Sequence, residues 1–125
     1  LKKEVLSVII DGKSIMDICN LPVEKTIEFF NNITLNRNDL IISKQILRSA
    51  TSIGANVEEA IAAQSKKDFI NKLSIASKEA RETKYWLRLL DKSELTKIAV
   101  ESYLIEIEHI INIITKIIKT SQESK

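Results

Sequence analysis

The sequence predicts an all-α fold: an antiparallel up-and-down four-helix bundle with a small amino-terminal β-hairpin. Three observations predict it. Two Gly and one Pro in 125 residues leave few turn-makers. Leu, Ile, Lys, Glu and Ala are plentiful, which favours long helices. Three long stretches repeat apolar residues at three- and four-residue intervals, the signature of a helix with one buried face. The chain divides into an extension over residues 1–22 and a bundle over residues 23–125.

The hairpin comes first. Val5-Leu6-Ser7-Val8-Ile9-Ile10 is rich in β-branched residues and runs into Asp11-Gly12, a strong two-residue turn signal, before Lys13-Ser14-Ile15. Pro22 then suits a first helical position, and Val23, Ile27, Phe30 and Ile33 follow at helical spacing, which predicts a short helix ending near 31–36. From Asp39, Ile42, Ile46, Ala50, Ile53, Val57 and Ile61 are spaced 4, 4, 3, 4, 4, so a second helix is expected over 39–63. Ser65 with Asp68 caps a third, whose stripe is Phe69, Leu73, Ala76, Ala80, Leu87 and Leu90. Ser93 is expected to cap a fourth, with its core seam at Val100, Leu104, Ile107, Ile111, Ile114 and Ile118.

That fourth helix carries more apolar surface than one seam uses. Tyr103, Ile110 and Ile117 form a second row, and Ile113 lies outside both. Either the core face is wide, or Tyr103, Ile110, Ile113 and Ile117 form a subunit interface in a homo-oligomer.

Composition excludes several function classes. A mass of 14.2 kDa is one domain's worth, and 44% hydrophobic with 29% charged residues is an ordinary globular balance. Glu106, Glu108 and Lys116 interrupt the isoleucine-rich end, so no spanning helix is expected, nor is a secretory signal seen. A single cysteine, Cys19, rules out an intrachain disulfide or a multi-cysteine zinc site and makes the cytoplasm the default setting. His109 is the one histidine, and only Glu106 stands three residues before it, so the paired Glu-x-x-His motifs of a carboxylate-bridged metal bundle are missing. Glu58 and Glu59 diverge by roughly 100° on a helix and make no acid–base pair. No catalytic, metal or cofactor constellation emerges, and the chain is expected not to be an enzyme.

Two groups of polar residues stand out. Gly54 lies inside a helix, where glycine costs roughly 1 kcal/mol relative to alanine, and small or polar residues surround it. Arg48, Ser52, Asn56 and Glu59 share one face there; with Ser49 they form an interhelical polar network, Arg48 pairing with Glu79, or else a ligand site. The second group is Lys78, Arg81, Tyr85, Arg88 and Lys92, which also share a face. Residues 62–92 hold eight basic and four acidic side chains, a local +4 against +2 for the whole chain. Clustered cations neutralise phosphates and a ring among them stacks an unpaired base, so this row is either a polyanion site or a solvated face with Glu79 and Glu82 beside it.

These stretches resemble the rRNA intervening-sequence proteins, also called four helix bundle proteins. The resemblance is carried by Lys44-Gln45-Ile46-Leu47-Arg48-Ser49, Ser52-Ile53-Gly54-Ala55-Asn56-Val57-Glu58-Glu59, Gln64-Ser65-Lys66-Lys67-Asp68-Phe69 and Ala80-Arg81-Glu82-Thr83-Lys84-Tyr85-Trp86-Leu87, and covers about residues 39–120. It implies a bundle assembling into a homopentameric ring, nucleic-acid binding (RNA or DNA) and no catalysis. A related group serves reverse transcriptases of diversity-generating elements, which implies a protein partner of that kind. A structural protein–protein module without nucleic-acid binding is the alternative.

The amino-terminal third departs from that pattern. Leu1-Lys2-Lys3-Glu4-Val5-Leu6, Ile10-Asp11-Gly12-Lys13-Ser14-Ile15, Leu21-Pro22-Val23 and Ile27-Glu28-Phe29-Phe30 resemble a segment of the excinuclease ATPase of excision repair, over about residues 1–47. In that family a zinc-binding cysteine pair precedes the segment and the ABC signature follows it. Neither is here, nor is a P-loop, so no ATPase role carries over, and a fragment fused to such an ATPase segment without its activity is a further alternative.

Overall fold

The apolar repeat that begins at Ile42 folds as helix α1, Leu40–Ile61; α2 is Lys66–Ser93 and α3 is Glu101–Glu123. A computed structural model describes residues 9–10, 13–14, 24, 25, 27, 40–93 and 99–123. Ahead of the long helices, β1 (Ile9–Ile10) and β2 (Lys13–Ser14) pair antiparallel, with Ile9 opposite Ser14 and Ile10 opposite Lys13. Glu24, Lys25 and Ile27 are helical. Cys19 and the apolar residues Val23, Phe30 and Ile33 lie outside the described residues.

Each helix boundary has a local cause. α2 starts where the Asp68 backbone N–H donates to Ser65 Oγ at 3.0 Å, satisfying one of the four donors a helix start leaves free. Asp68 in the first turn also complements the positive end of the helix dipole. Ser93 does not cap the following helix, contrary to expectation. It is the last residue of α2, and its hydroxyl turns back to the Leu90 carbonyl at 3.0 Å, so it serves an end rather than a start.

The helices run antiparallel in sequence order. Between α1 and α2, Glu59 pairs with Lys72 and Ser49 meets Thr83, so later residues of one contact earlier residues of the other. α2 and α3 pack side by side, and the seven residues 94–100, spanning at most about 25 Å against the roughly 42 Å rise of α2, are too short for a parallel return, so α3 runs antiparallel to α2. Arg48 of α1 reaches Glu79 on one flank of α2, and Glu108 of α3 reaches Lys84 on the other. α2 therefore sits between its two neighbours.

The core follows the expected stripes of α1 and α2 except at Ile61, which is only partly buried. Ile42, Ile46, Ala50, Ile53 and Val57 of α1 are buried, as are Phe69, Leu73, Ala76, Ala80, Leu87 and Leu90 of α2. Full burial of a large aliphatic or aromatic side chain contributes about 1.5–3 kcal/mol, and Phe69, Ile53, Leu73, Leu90, Ile113, Ile114 and Ile117 are among those sealed completely. Ala60, Ala76, Ala80 and Gly54 are buried as well, keeping bulk low where backbones approach.

α3 departs from the single-seam reading. Tyr103, Ile110, Ile113 and Ile117, read as either a wide core face or a subunit interface, are all buried within the chain, Ile113 completely, so the interface reading gives way to the wide core. Leu104 and Ile118 of the expected seam are only partly buried. A bundle helix faces two neighbours and the interior between them, so its apolar stripe is wider than a two-stranded heptad seam. Ile105 is the large apolar residue of α3 that stays wet, at 63% exposure.

Candidate nucleic-acid interface

The cationic row predicted on the third helix occupies the outer face of α2, opposite the core stripe. Lys78, Arg81, Tyr85, Arg88 and Lys92 are all exposed, and Leu89 joins them at the surface. One face of a helix repeats every three to four residues, which is why 78, 81, 85, 88 and 92 align. From Lys78 to Lys92 the row rises about 21 Å.

Two of the acids that adjoin the row, Glu79 and Glu82, are drawn away from it, while a third, Asp91, stays exposed between Arg88 and Lys92. Arg48 on α1 pairs with Glu82 and approaches Glu79 at 3.5 Å, so both carboxylates lean to the α1 flank. Lys84 is taken up by Glu108 of α3 at 2.6 Å on the other flank. Lys78, Arg81, Arg88 and Lys92 form no ion pair with a described residue. Among the described residues the outer face thus carries four cations with only Asp91 exposed beside them, although the whole chain is nearly neutral.

Tyr85 and Trp86 form an edge-to-face pair, ring centroids 5.2 Å apart and planes at 69°. Their surroundings differ. Trp86 packs partly against the core and its indole N–H donates to Glu82 Oε2 at 3.1 Å, whereas Tyr85 is 58% exposed.

The polar residues around Gly54 separate into three groups. Arg48 donates through Nε to Gln45 Oε1 at 3.1 Å besides its contacts with Glu79 and Glu82. Its side chain is half exposed, so the pair with Glu79 is not a buried one. Ser49 is fully buried; it donates to the Gln45 carbonyl at 3.0 Å and accepts from Thr83 Oγ1 at 2.8 Å across the α1–α2 contact. Asn56 donates to Ser52, 2.9 Å to its carbonyl and 3.2 Å to its hydroxyl, within α1. Glu59 joins neither, pairing instead with Lys72 at 3.7 Å. The sharing of a helix face by Arg48, Ser52, Asn56 and Glu59 did not make them one network. Thr83 was missed because it breaks an otherwise apolar stripe; its place seven residues after Ala76 and four before Leu87 marks it as inward-facing.

An open depression of about 450 Å³ lies over Ser65, Lys67, Asp68, Ile70, Asn71 and Ser74 at the start of α2. A cavity of about 40 Å³ is lined by Ile46, Ala50 and Ile53 of α1, Leu87 of α2 and Tyr103 and Ile107 of α3, with Lys25 and Glu106 at 4.0 Å beside it. That is far below the roughly 300–1,000 Å³ of ligand pockets. Among the described residues no group of three or more His, Cys, Asp or Glu could hold a metal ion. None of the described helices is long and apolar enough to cross a membrane.

An all-helical protein whose outer central face is cationic is the class these features define. The chain belongs to the 23S rRNA-intervening sequence protein family, which it matches over residues 19–118. The match begins well ahead of residue 39, so it takes in part of the segment expected to depart from the family. A crystal structure of a protein of unknown function from the S23 ribosomal protein family of Bacteroides thetaiotaomicron is 42% identical, with a TM-score of 0.73 over 84% of this chain and 97% of that one. UvrABC system protein A of Aquifex aeolicus is 46% identical over 50 residues, 38% of this chain and 5% of that protein. The Clostridium acetobutylicum protein of the same name is 35% identical over 52 residues, 42% of this chain and 6% of that protein. The chain therefore spans only about a twentieth of these curated relatives.

Proposed function

We propose that this chain is a non-enzymatic, self-assembling, cytoplasmic four-helix bundle protein that binds RNA or DNA through the outer face of α2. The observation that carries the binding is the exposed row Lys78, Arg81, Arg88 and Lys92, with Glu79 and Glu82 held to one flank by Arg48. Four clustered cations on one face displace counterions from a phosphate backbone, whereas the same charges scattered among acids would not.

Closure of the bundle by a fourth helix is supported by Lys25, which is helical, pairs with Glu106 and lines the cavity between α1 and α3. The paired strands β1 and β2 would form the hairpin appended ahead of it. Self-association draws support from exposed Ile41 (72%), Leu47 and Ile105, in place of the four buried residues of α3. The number five comes from the family resemblance alone, as does a reverse-transcriptase partner. No ATPase activity is carried over from UvrABC system protein A.

The test is fluorescence anisotropy of labelled RNA and DNA against the purified chain and its Arg81→Ala/Arg88→Ala double variant. Binding by the wild type that weakens in the double variant is expected. Equal binding by both would place the site elsewhere, and no binding at micromolar protein would favour a module for protein partners.

A further inference from the structure

We propose that the outer face of α2 selects single-stranded over double-stranded nucleic acid, with Tyr85 as the platform on which an unpaired base stacks; this rests on the nucleic-acid-binding reading above. Tyr85 is the one aromatic in the row, with Arg81 a turn before it and Arg88 and Leu89 a turn after. Its position is braced by the edge of Trp86, which is itself held by Glu82 and the core. More than half of the tyrosine nevertheless stays in water. A large ring left exposed between guanidinium groups matches a base flanked by phosphates, the ring taking the π-face and the cations the backbone.

Duplex fits the same face poorly for two reasons. Its bases are already stacked on one another, so Tyr85 would find no free π-face. The other route, insertion of a helix into the major groove, is closed by packing. That groove is about 12 Å wide. α2 is flanked by α1 and α3 at about 8–10 Å between axes, so the three together are far too broad to enter. A flexible strand of several nucleotides can lie along the row's length instead.

The experiment compares a labelled homothymidine strand of about twenty nucleotides with a hairpin duplex of equal length, at one salt concentration, for the wild type, Tyr85→Ala and Tyr85→Phe. Stacking on one ring is worth about tenfold or more in affinity. The wild type is expected to bind the single strand more tightly by about that factor, Tyr85→Ala to lose it on the single strand alone, and Tyr85→Phe to keep it. Circular dichroism matched to the wild type confirms that the exposed substitution leaves the helices intact. Equal or tighter duplex binding, or a Tyr85→Ala loss shared by both probes, overturns single-strand selection while the cationic interface stands. Failure to bind either probe overturns both.

Discussion

Thr83 shows what a single hydroxyl does in this bundle. It is almost fully buried, and its Oγ1 lies 2.8 Å from both Ser49 Oγ and the Glu79 carbonyl, which share its one hydrogen. Ser49 spends its own hydrogen on the Gln45 carbonyl, so each hydroxyl has an acceptor within its own helix and the bond between them adds a link across the α1–α2 contact. Replacing Thr83 by Val keeps the shape and removes the bond, and is expected to lower unfolding free energy by about 1 kcal/mol in a urea melt. Arg48 gives the contrast: more contacts, but half in solvent. Arg48→Ala is expected to cost no more than about 1 kcal/mol, because exposed ion pairs are screened by water. Its effect belongs instead to the outer face, where Glu79 and Glu82 are freed to offset Arg81 and Lys78, so nucleic-acid affinity should fall although Arg48 itself is outside the row.

Among the elements, α2 is the one whose start and outer face the sequence states most fully. Ser65 caps it as expected, and the hydrogen bond to Asp68 N–H makes a direct prediction. Ser65→Ala is expected to cost about 1 kcal/mol of stability by thermal or urea unfolding, and Ser65→Asp, which keeps an acceptor, much less. The core stripes of α1 and α2 were legible because each is a single row at helical period. α3 was legible in period but not in width: its rows leave open whether Tyr103, Ile110, Ile113 and Ile117 belong to a wide core or to a partner, and the chain buries them itself. Periodicity says which residues align, and only the neighbours say how many rows are covered. The same limit applies to the polar residues. Arg48 and Glu79 were paired correctly across helices, but Glu82 and Thr83 depend on how α1 and α2 are set against each other, which spacing within one helix does not encode.

At the scale of the whole molecule, charge is sorted rather than accumulated. A net +2 would not distinguish this chain from an ordinary surface, yet ion pairs on both flanks of α2 leave its outer face cationic. Self-assembly would multiply that field by repeating the face around a ring. Multi-angle light scattering is expected to return several times the 14.2 kDa chain mass, and five times if the count implied by the family resemblance holds. A monomer would remove self-association but leave the α2 face unchanged. The measurement that tests the central claim most directly is the slope of log affinity against log salt for RNA or DNA, wild type against Arg81→Ala/Arg88→Ala. Each phosphate contact contributes about 0.7–0.9 to that slope, so the double variant is expected to be shallower by about 1.4–1.8. A wild-type affinity that ignores salt, or a slope the two substitutions leave unchanged, would contradict an interface on the outer face of α2.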